Sequence, residues 1–362
     1  MNENIKNNLL ARNRRMIEAI KAKAALICPG AVDLIAIAGS FASGDYYEKS
    51  DLDLLIVINS ESGWKIAKAV IIEDVGHDIY CQTWEGLEHA AEYPDPHVSK
   101  LLDADIVYTA SQKVGERYLN LRHRLQDVLA RPFCLEDLEK AEGYYHSAVE
   151  TLGKLFLSSE DSECKYLSAV TLYYIEYVVY MANKAYVRHG IQGIPAEINA
   201  LERLPEGFAG AYQKLITAEG AENIKQAARS LVKRTGTFLA ALRNELYHKP
   251  DITAKGLEGT YEEAFSNWRW KMHRAAQVDS PYLSLMTAAS CQNYYDEFFV
   301  SYDIPHFDLF STFSVKDLSA SAAGFDRVLE EFGSLYDDHG MKICRYPGVD
   351  EFEKDYLRTA ES

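Results

Sequence analysis

The run Asp51-Leu52-Asp53-Leu54-Leu55-Ile56-Val57-Ile58 constrains the fold more than any other stretch of the chain. Alternation along an extended chain puts Asp51, Asp53, Leu55 and Val57 on one face and Leu52, Leu54, Ile56 and Ile58 on the other. Beyond its first residues the run is apolar on both faces, so it predicts a buried strand with two carboxylates projecting side by side from its leading end. Carboxylates this close repel each other and resist desolvation, so this end needs open solvent or a compensating cation. A Ser-Asp-x-Asp sequence is also a sound turn into a strand, its aspartates capping free amides, and for Asp51 and Asp53 alone the two readings stand level.

The flanking residues break the tie. Gly39-Ser40 precedes Asp51 by ten intervening residues. Gly39 permits close approach of backbone, and the Ser40 hydroxyl with neighbouring amides can hydrogen-bond phosphate oxygens. Magnesium is a hard ion satisfied by carboxylate, water and phosphate oxygens, so a phosphate loop followed by an acidic pair suits a metal-bound nucleotide. Lys49 is within reach of a phosphate, although a solvated side chain is its plainer role, and Ser43 and Gly44 shape the loop. A third carboxylate is expected from Asp78 in "VGHDIYCQTW", where it sits among apolar residues of the next strand, with Glu73 and Asp74 as acidic alternatives. Three converging carboxylates would hold two magnesium ions, one on the triphosphate and one lowering the pKa of an acceptor hydroxyl.

The pattern Gly39-Ser40, ten residues, Asp51-Leu52-Asp53-Leu54, then a strand with a further acid, resembles the minimal nucleotidyltransferases of the DNA polymerase β superfamily. The stretch "GHDIYCQTWEGLEHA" is similar to the matching part of the kanamycin nucleotidyltransferases. The resemblance covers Gly39 to about Trp84. It implies catalytic and metal-binding roles for Asp51, Asp53 and Asp78, and nucleotide binding by Gly39 and Ser40. It further implies transfer of a nucleoside monophosphate from a triphosphate, ATP among them, to a hydroxyl acceptor. A catalytically silent nucleotide-binding or scaffold protein is the alternative, since such domains stay recognisable after activity is lost.

Around this motif the chain reads as α+β, a mixed-sheet nucleotidyltransferase domain followed by a predominantly helical one. A helix over 4–26 ends at Pro29-Gly30, and "AVDLIAIAG" and "DADIVYT" read as further strands, with a helix near Trp84–Ala91. From about Leu135 apolar residues recur at helical spacing through 135–158, 164–188, 219–248, 258–277 and 281–299, with 324–338 as another helix. The expected domains are 1–125, 126–300 and a C-terminal extension over 301–362. Tyr173, Tyr174, Tyr177 and Tyr180 fall at helical spacing and read as packing residues rather than a stacking surface.

"ALRNELYHKPD" carries Arg243 and His248, which resemble the arginine–histidine motif of HEPN-type ribonucleases. Five positions along a helix turn the side chains about 140° apart, so only a helix end would bring them together. The competing reading is a basic helix terminus stopped by Pro250.

The formal charge of −16 repels polyanions and favours a small hydroxyl acceptor, a cationic one included, over RNA, with protein as a further option. The six cysteines are scattered singly, without zinc or disulfide spacing. No run of about 18 apolar residues suggests a membrane span, and the polar N-terminus does not read as a secretory signal, so the expected compartment is the cytoplasm. A homodimer is left open.

Overall fold

The structure is a computed structural model and describes residues 2–358. The chain forms two compact units, Met1–Leu246 and the remainder from Tyr247.

The first unit opens with α1 (Glu3–Ile27), capped by the Asn2 side chain accepting from the Asn4 N–H. Its inward face, Ile17, Ile20 and Ala24, covers one side of a sheet, as the 3.6-residue period of its apolar positions requires. Strands β1 (Val32–Ile37), β2 (Leu54–Ile58), β3 (Lys68–Ile72), β4 (Val75–Ile79), β5 (Cys81–Thr83) and β6 (Asp105–Thr109) follow. Four of them form a mixed sheet in the order β5-β2-β1-β6, with β1 antiparallel to both neighbours and β2 parallel to β5. Strands β3 and β4 form a separate antiparallel hairpin. Glu73 and Asp74 make its turn with φ of 52° and 65°, the left-handed geometry of a tight hairpin, which accounts for both acidic alternatives to Asp78.

Short helices α2 (Gly39–Ser43), α3 (Trp84–Ala90) and α4 (Ser99–Leu102) lie between the strands, and α5 (Gln112–Ala130) follows the last of them. Next come α6 (Leu135–Leu157), α7 (Asp161–Ala182), α8 (Gly190–Asn199), α9 (Phe208–Ile216) and α10 (Ala221–Leu246). The helix expected over 164–188 therefore stops at Ala182. The "HGIQGIPAE" stretch, which falls between the segments expected over 164–188 and 219–248, is largely α8, which accommodates Pro195. Leu34, Ala36, Leu55 and Val57 on the second face of the sheet join Trp84, Tyr118 and Leu125, and then Leu138, Val178, Met181 and Leu239 of the bundle, in one core. The change of character near residue 125 is thus a change of secondary structure inside one compact unit. Tyr177 and Tyr180 are buried, whereas Tyr173 is exposed.

The second unit contains α11 (Ala254–Leu257), α12 (Thr260–Ala264), α13 (Trp270–Gln277), α14 (Pro281–Ser301), α15 (Leu318–Asp338) and α16 (Val349–Tyr356). A π-helical turn over Phe265–Arg269 links α12 to α13. Tyr261, Tyr295, Phe307, Phe325, Phe332 and Tyr336 dominate its core. The aromatic loop from Asp303 contributes Phe307 and Leu309 to that core. The α+β architecture, mixed sheet first and helices after, is the one the sequence pattern predicts.

Candidate active site

Strand β2 begins at Leu54, three residues later than the alternating pattern suggests, because the ladder with β1 starts at the pair Ile37↔Leu54. Residues 50–53 are held by tertiary bonds instead. Arg12 of α1 donates to the Ser50 carbonyl at 2.8 Å. The Leu52 N–H donates to Nδ1 of His77 at 3.0 Å, and the Ala38 N–H donates to the Asp53 carbonyl at 2.9 Å. Ser50 is also fastened to Tyr47, whose N–H donates to the Ser50 hydroxyl at 2.9 Å.

Gly39 is needed where it stands. Its φ is +60°, and a Cβ there would lie 2.0 Å from Oδ2 of Asp53. The missing side chain leaves room for that carboxylate against the start of α2. Gly44, with φ of 85°, ends α2 in the left-handed conformation and starts the loop that leads to Lys49.

Gly39, Ser40, Ser43, Lys49, Asp51 and Asp53 line one cavity of about 610 Å³. The same cavity is lined by His97 just before α4, by Ser99 and Lys100 within it, and by Val187 to Gln192, which run from the α7–α8 connection into the first turn of α8. Burial, and then the charge of Asp51, raise the Asp53 carboxyl above its ordinary range, opposed by the Lys100 ammonium. An acidic pair strained in this way gains from a bound cation. Asp51 and Asp53, the latter accommodated against Gly39, therefore fit a hard divalent ion whose other oxygens come from phosphate or water.

The far wall is stiffened by Glu197 of α8. It accepts the Arg188 N–H at 3.2 Å and the His189 N–H at 2.8 Å, with the Tyr180 hydroxyl at 2.7 Å. Burial pushes Glu197 up, but these donors and the His189 ring outweigh it and hold it below the ordinary glutamate range. The His189 ring bridges Glu197 at 2.7 Å and Asp45 at 3.4 Å, tying this wall to the loop that follows Gly44. Arg188 lies 3.9 Å from Asp103 with its guanidinium largely exposed.

The structure brings together Gly39, Ser40, Lys49, Asp51 and Asp53. Asp78 lies on β4 and is exposed. Buried Cys81 and His77 point to the α1 side, so alternation turns Asp78 to the same side as Asp53. The register Ile56↔Cys81, carried back along the strands, would set Asp78 level with Asp53. The chain leaves the four-stranded sheet before that point to pair with β3, at Ala69↔Asp78, and Asp78 does not line the cavity. Among the described residues no group of three or more His, Cys, Asp or Glu is placed to hold a metal ion.

Arg243 does not line this cavity. On α10 it forms a two-pronged ion pair with Glu142 of α6, one arm at 2.9 Å. His248 lies beyond the end of α10, in the second unit. Sequence reasoning missed Lys100, Arg188 and His189 at the cavity, and His77 and Arg12 beneath it. The adjacent basic pair Arg188-His189 before Gly190 was the available signal, a short cationic step at a helix start.

The nucleotidyltransferase domain family matches residues 14–95. The chain thus carries an N-terminal nucleotidyltransferase-type domain, the match running from within α1 through β1 to β5 and α3. No curated protein matches the chain. Among solved structures it is similar to a nucleotidyltransferase-like protein from Exiguobacterium sibiricum 255-15, at 10% identity and a TM-score of 0.37, over 78% of this chain and 91% of that one. Among the described residues no helix is long and apolar enough to cross a membrane.

Proposed function

We propose that the first unit binds a nucleoside triphosphate with magnesium and transfers the nucleoside monophosphate to a hydroxyl of a small molecule. The observation that carries this reading is the shared cavity, lined by Gly39 and Ser40, by Asp51 and Asp53, and by the cationic Lys49, Lys100 and Arg188. Asp51 and Asp53 would hold magnesium, which when bound would supply charge neutralisation for the phosphates and polarisation of the acceptor hydroxyl. Ser40 and the amides at the start of α2 orient the triphosphate, while Lys49 and Lys100 offset its remaining charge. The acceptor oxygen forms a bond to the α-phosphorus, the bond to the bridging oxygen breaks, pyrophosphate leaves, and the hydroxyl proton passes to solvent. Asp78 is the proposed third carboxylate, supported by its side of the strand and by the register it would share with Asp53.

The formal charge of −16 supports a small acceptor over a nucleic acid. Calorimetry with each of the four common triphosphates and magnesium tests binding, and an acceptor screen with α-labelled nucleotide tests transfer. Replacing Asp51 and Asp53 together by Asn should lower transfer by several orders of magnitude. Unchanged transfer in that variant, or no triphosphate binding by the wild type, would falsify the reading. A silent nucleotide-binding domain is the second reading, favoured by the position of Asp78 outside the cavity. Triphosphate binding without transfer to any acceptor, unaffected by Asp78→Asn, would select it.

A further inference from the structure

We propose that His77 is a positioning residue for the Asp51–Asp53 pair, acting with Arg12 from α1. This inference rests on the metal–nucleotide reading above. The carboxylates hang from a backbone segment that has no ladder partner, since β2 is paired only from Leu54 onward. Its course is set by three bonds from distant parts of the chain. Arg12 holds the Ser50 carbonyl at 2.8 Å, His77 holds the Leu52 N–H at 3.0 Å, and Ala38 holds the Asp53 carbonyl at 2.9 Å. The first two bracket Asp51, and the last two bracket Asp53.

His77 is 3% exposed, and its Nε2 is buried with no partner among the described residues. An orphaned buried polar atom forfeits its hydration without a partner in exchange, a cost an apolar side chain would avoid. What the histidine supplies in return is an acceptor, Nδ1, at the peptide between the two aspartates. The same strand geometry that turns His77 inward leaves Asp78 outward, so the imidazole acts from beneath the acidic face without entering it. Metal sites demand carboxylate placement to a fraction of an ångström, and loss of outer partners typically weakens metal affinity 10- to 100-fold.

The test uses the full chain and three substitutions. His77→Asn keeps an acceptor near the Nδ1 position, His77→Gln moves it to the Nε2 position, and His77→Leu removes it. Manganese alone, then each triphosphate with magnesium, serve as probes in calorimetry, and amide hydrogen exchange reads Leu52 separately from Leu54–Ile58. In His77→Leu the Leu52 amide should exchange at least about tenfold faster while the strand amides keep their protection. Manganese affinity should fall about 10- to 100-fold. His77→Asn should recover both to within about threefold, and His77→Gln should not. Should His77→Leu fail to fold, Arg12→Met cuts the opposite anchor and should weaken manganese binding in the same direction. Wild type that binds manganese with variants that bind it equally overturns the positioning role alone. A wild type that binds neither manganese nor any triphosphate overturns the nucleotide reading, and this one with it.

Discussion

Gly39→Ala gives the sharpest test of how the acidic end is built. The new methyl meets two obstacles. Its backbone must hold φ of +60°, which costs an L-residue about 1–2 kcal/mol. It must also displace the Asp53 carboxylate, since Oδ2 lies 2.0 Å and Cγ 2.7 Å from the new atom, where ordinary contacts begin near 3.4 Å. Overpacking of this kind costs about 1–3 kcal/mol, so the substitution should destabilise the first unit by about 2–5 kcal/mol. In an Asp53→Gly background Oδ2, Cγ and the Cβ at 2.9 Å are all gone, and the cost should fall to little more than the backbone part. The coupling between the two sites is then about 1–3 kcal/mol. Because the chain has two compact units, the readout should be local: exchange of the slowest amides at Leu34, Ile35, Ile56 and Val57, all fully buried. Binding offers a second readout. Moving the carboxylate by about 1 Å should lower magnesium–triphosphate affinity or transfer on the order of 100-fold. Additive costs, to within about 0.5 kcal/mol, would refute the proposed conflict between the introduced methyl and Asp53.

Other outcomes follow from the same geometry. Burial and the Asp51 charge raise the Asp53 carboxyl above its ordinary 3.8, so the stability it contributes is complete below that value and lost as pH rises through the raised one. In EDTA, urea denaturation should therefore show wild type losing stability relative to Asp53→Asn as pH rises from about 4 through the raised value, then running parallel to it; the opposite slope refutes the assignment. Arg243→Ala should cost about 1–2 kcal/mol through the lost Glu142 pair, and metal-free wild type should leave single-stranded RNA intact. Cleavage that vanishes in His248→Ala would restore the nuclease reading. With a thiol reagent at mildly alkaline pH, exposed Cys344 should react first, while burial holds the Cys81 thiol up at about 11 and the Cys291 thiol at about 12; prompt modification of either buried thiol contradicts the packing.

The part of the site carried by local spacing was legible in the sequence. Gly39, Ser40, Asp51 and Asp53 come together because one short loop joins two paired strands, and alternation orients the residues of β2 beyond them. The strand start was misjudged by three residues because apolar alternation continues through Leu52 although the ladder does not. Asp78 shows the limit of parity: the face is readable, but the departure of the chain to pair with β3 is a tertiary choice. Lys100 reaches the cavity from the four-residue α4, and Arg188 and His189 from the loop before α8, segments too short to show a period. His77 resembled any buried histidine, since its meaning lies in one backbone N–H contributed by a residue 25 positions away.

Because one core joins the second face of the sheet to α6, α7 and α10, a protein of this build can diversify at one wall of its cavity while keeping the other. The acidic end and the stretch from Val187 to Gln192 face that cavity from within a single compact unit, yet they come from distant parts of the chain. Ile191 and Gln192 are exposed, so new side chains there can be sampled with little effect on the core or on the carboxylates. Under the proposed function, changes at this wall would reshape what the cavity admits beside the nucleotide while the carboxylates keep their placement.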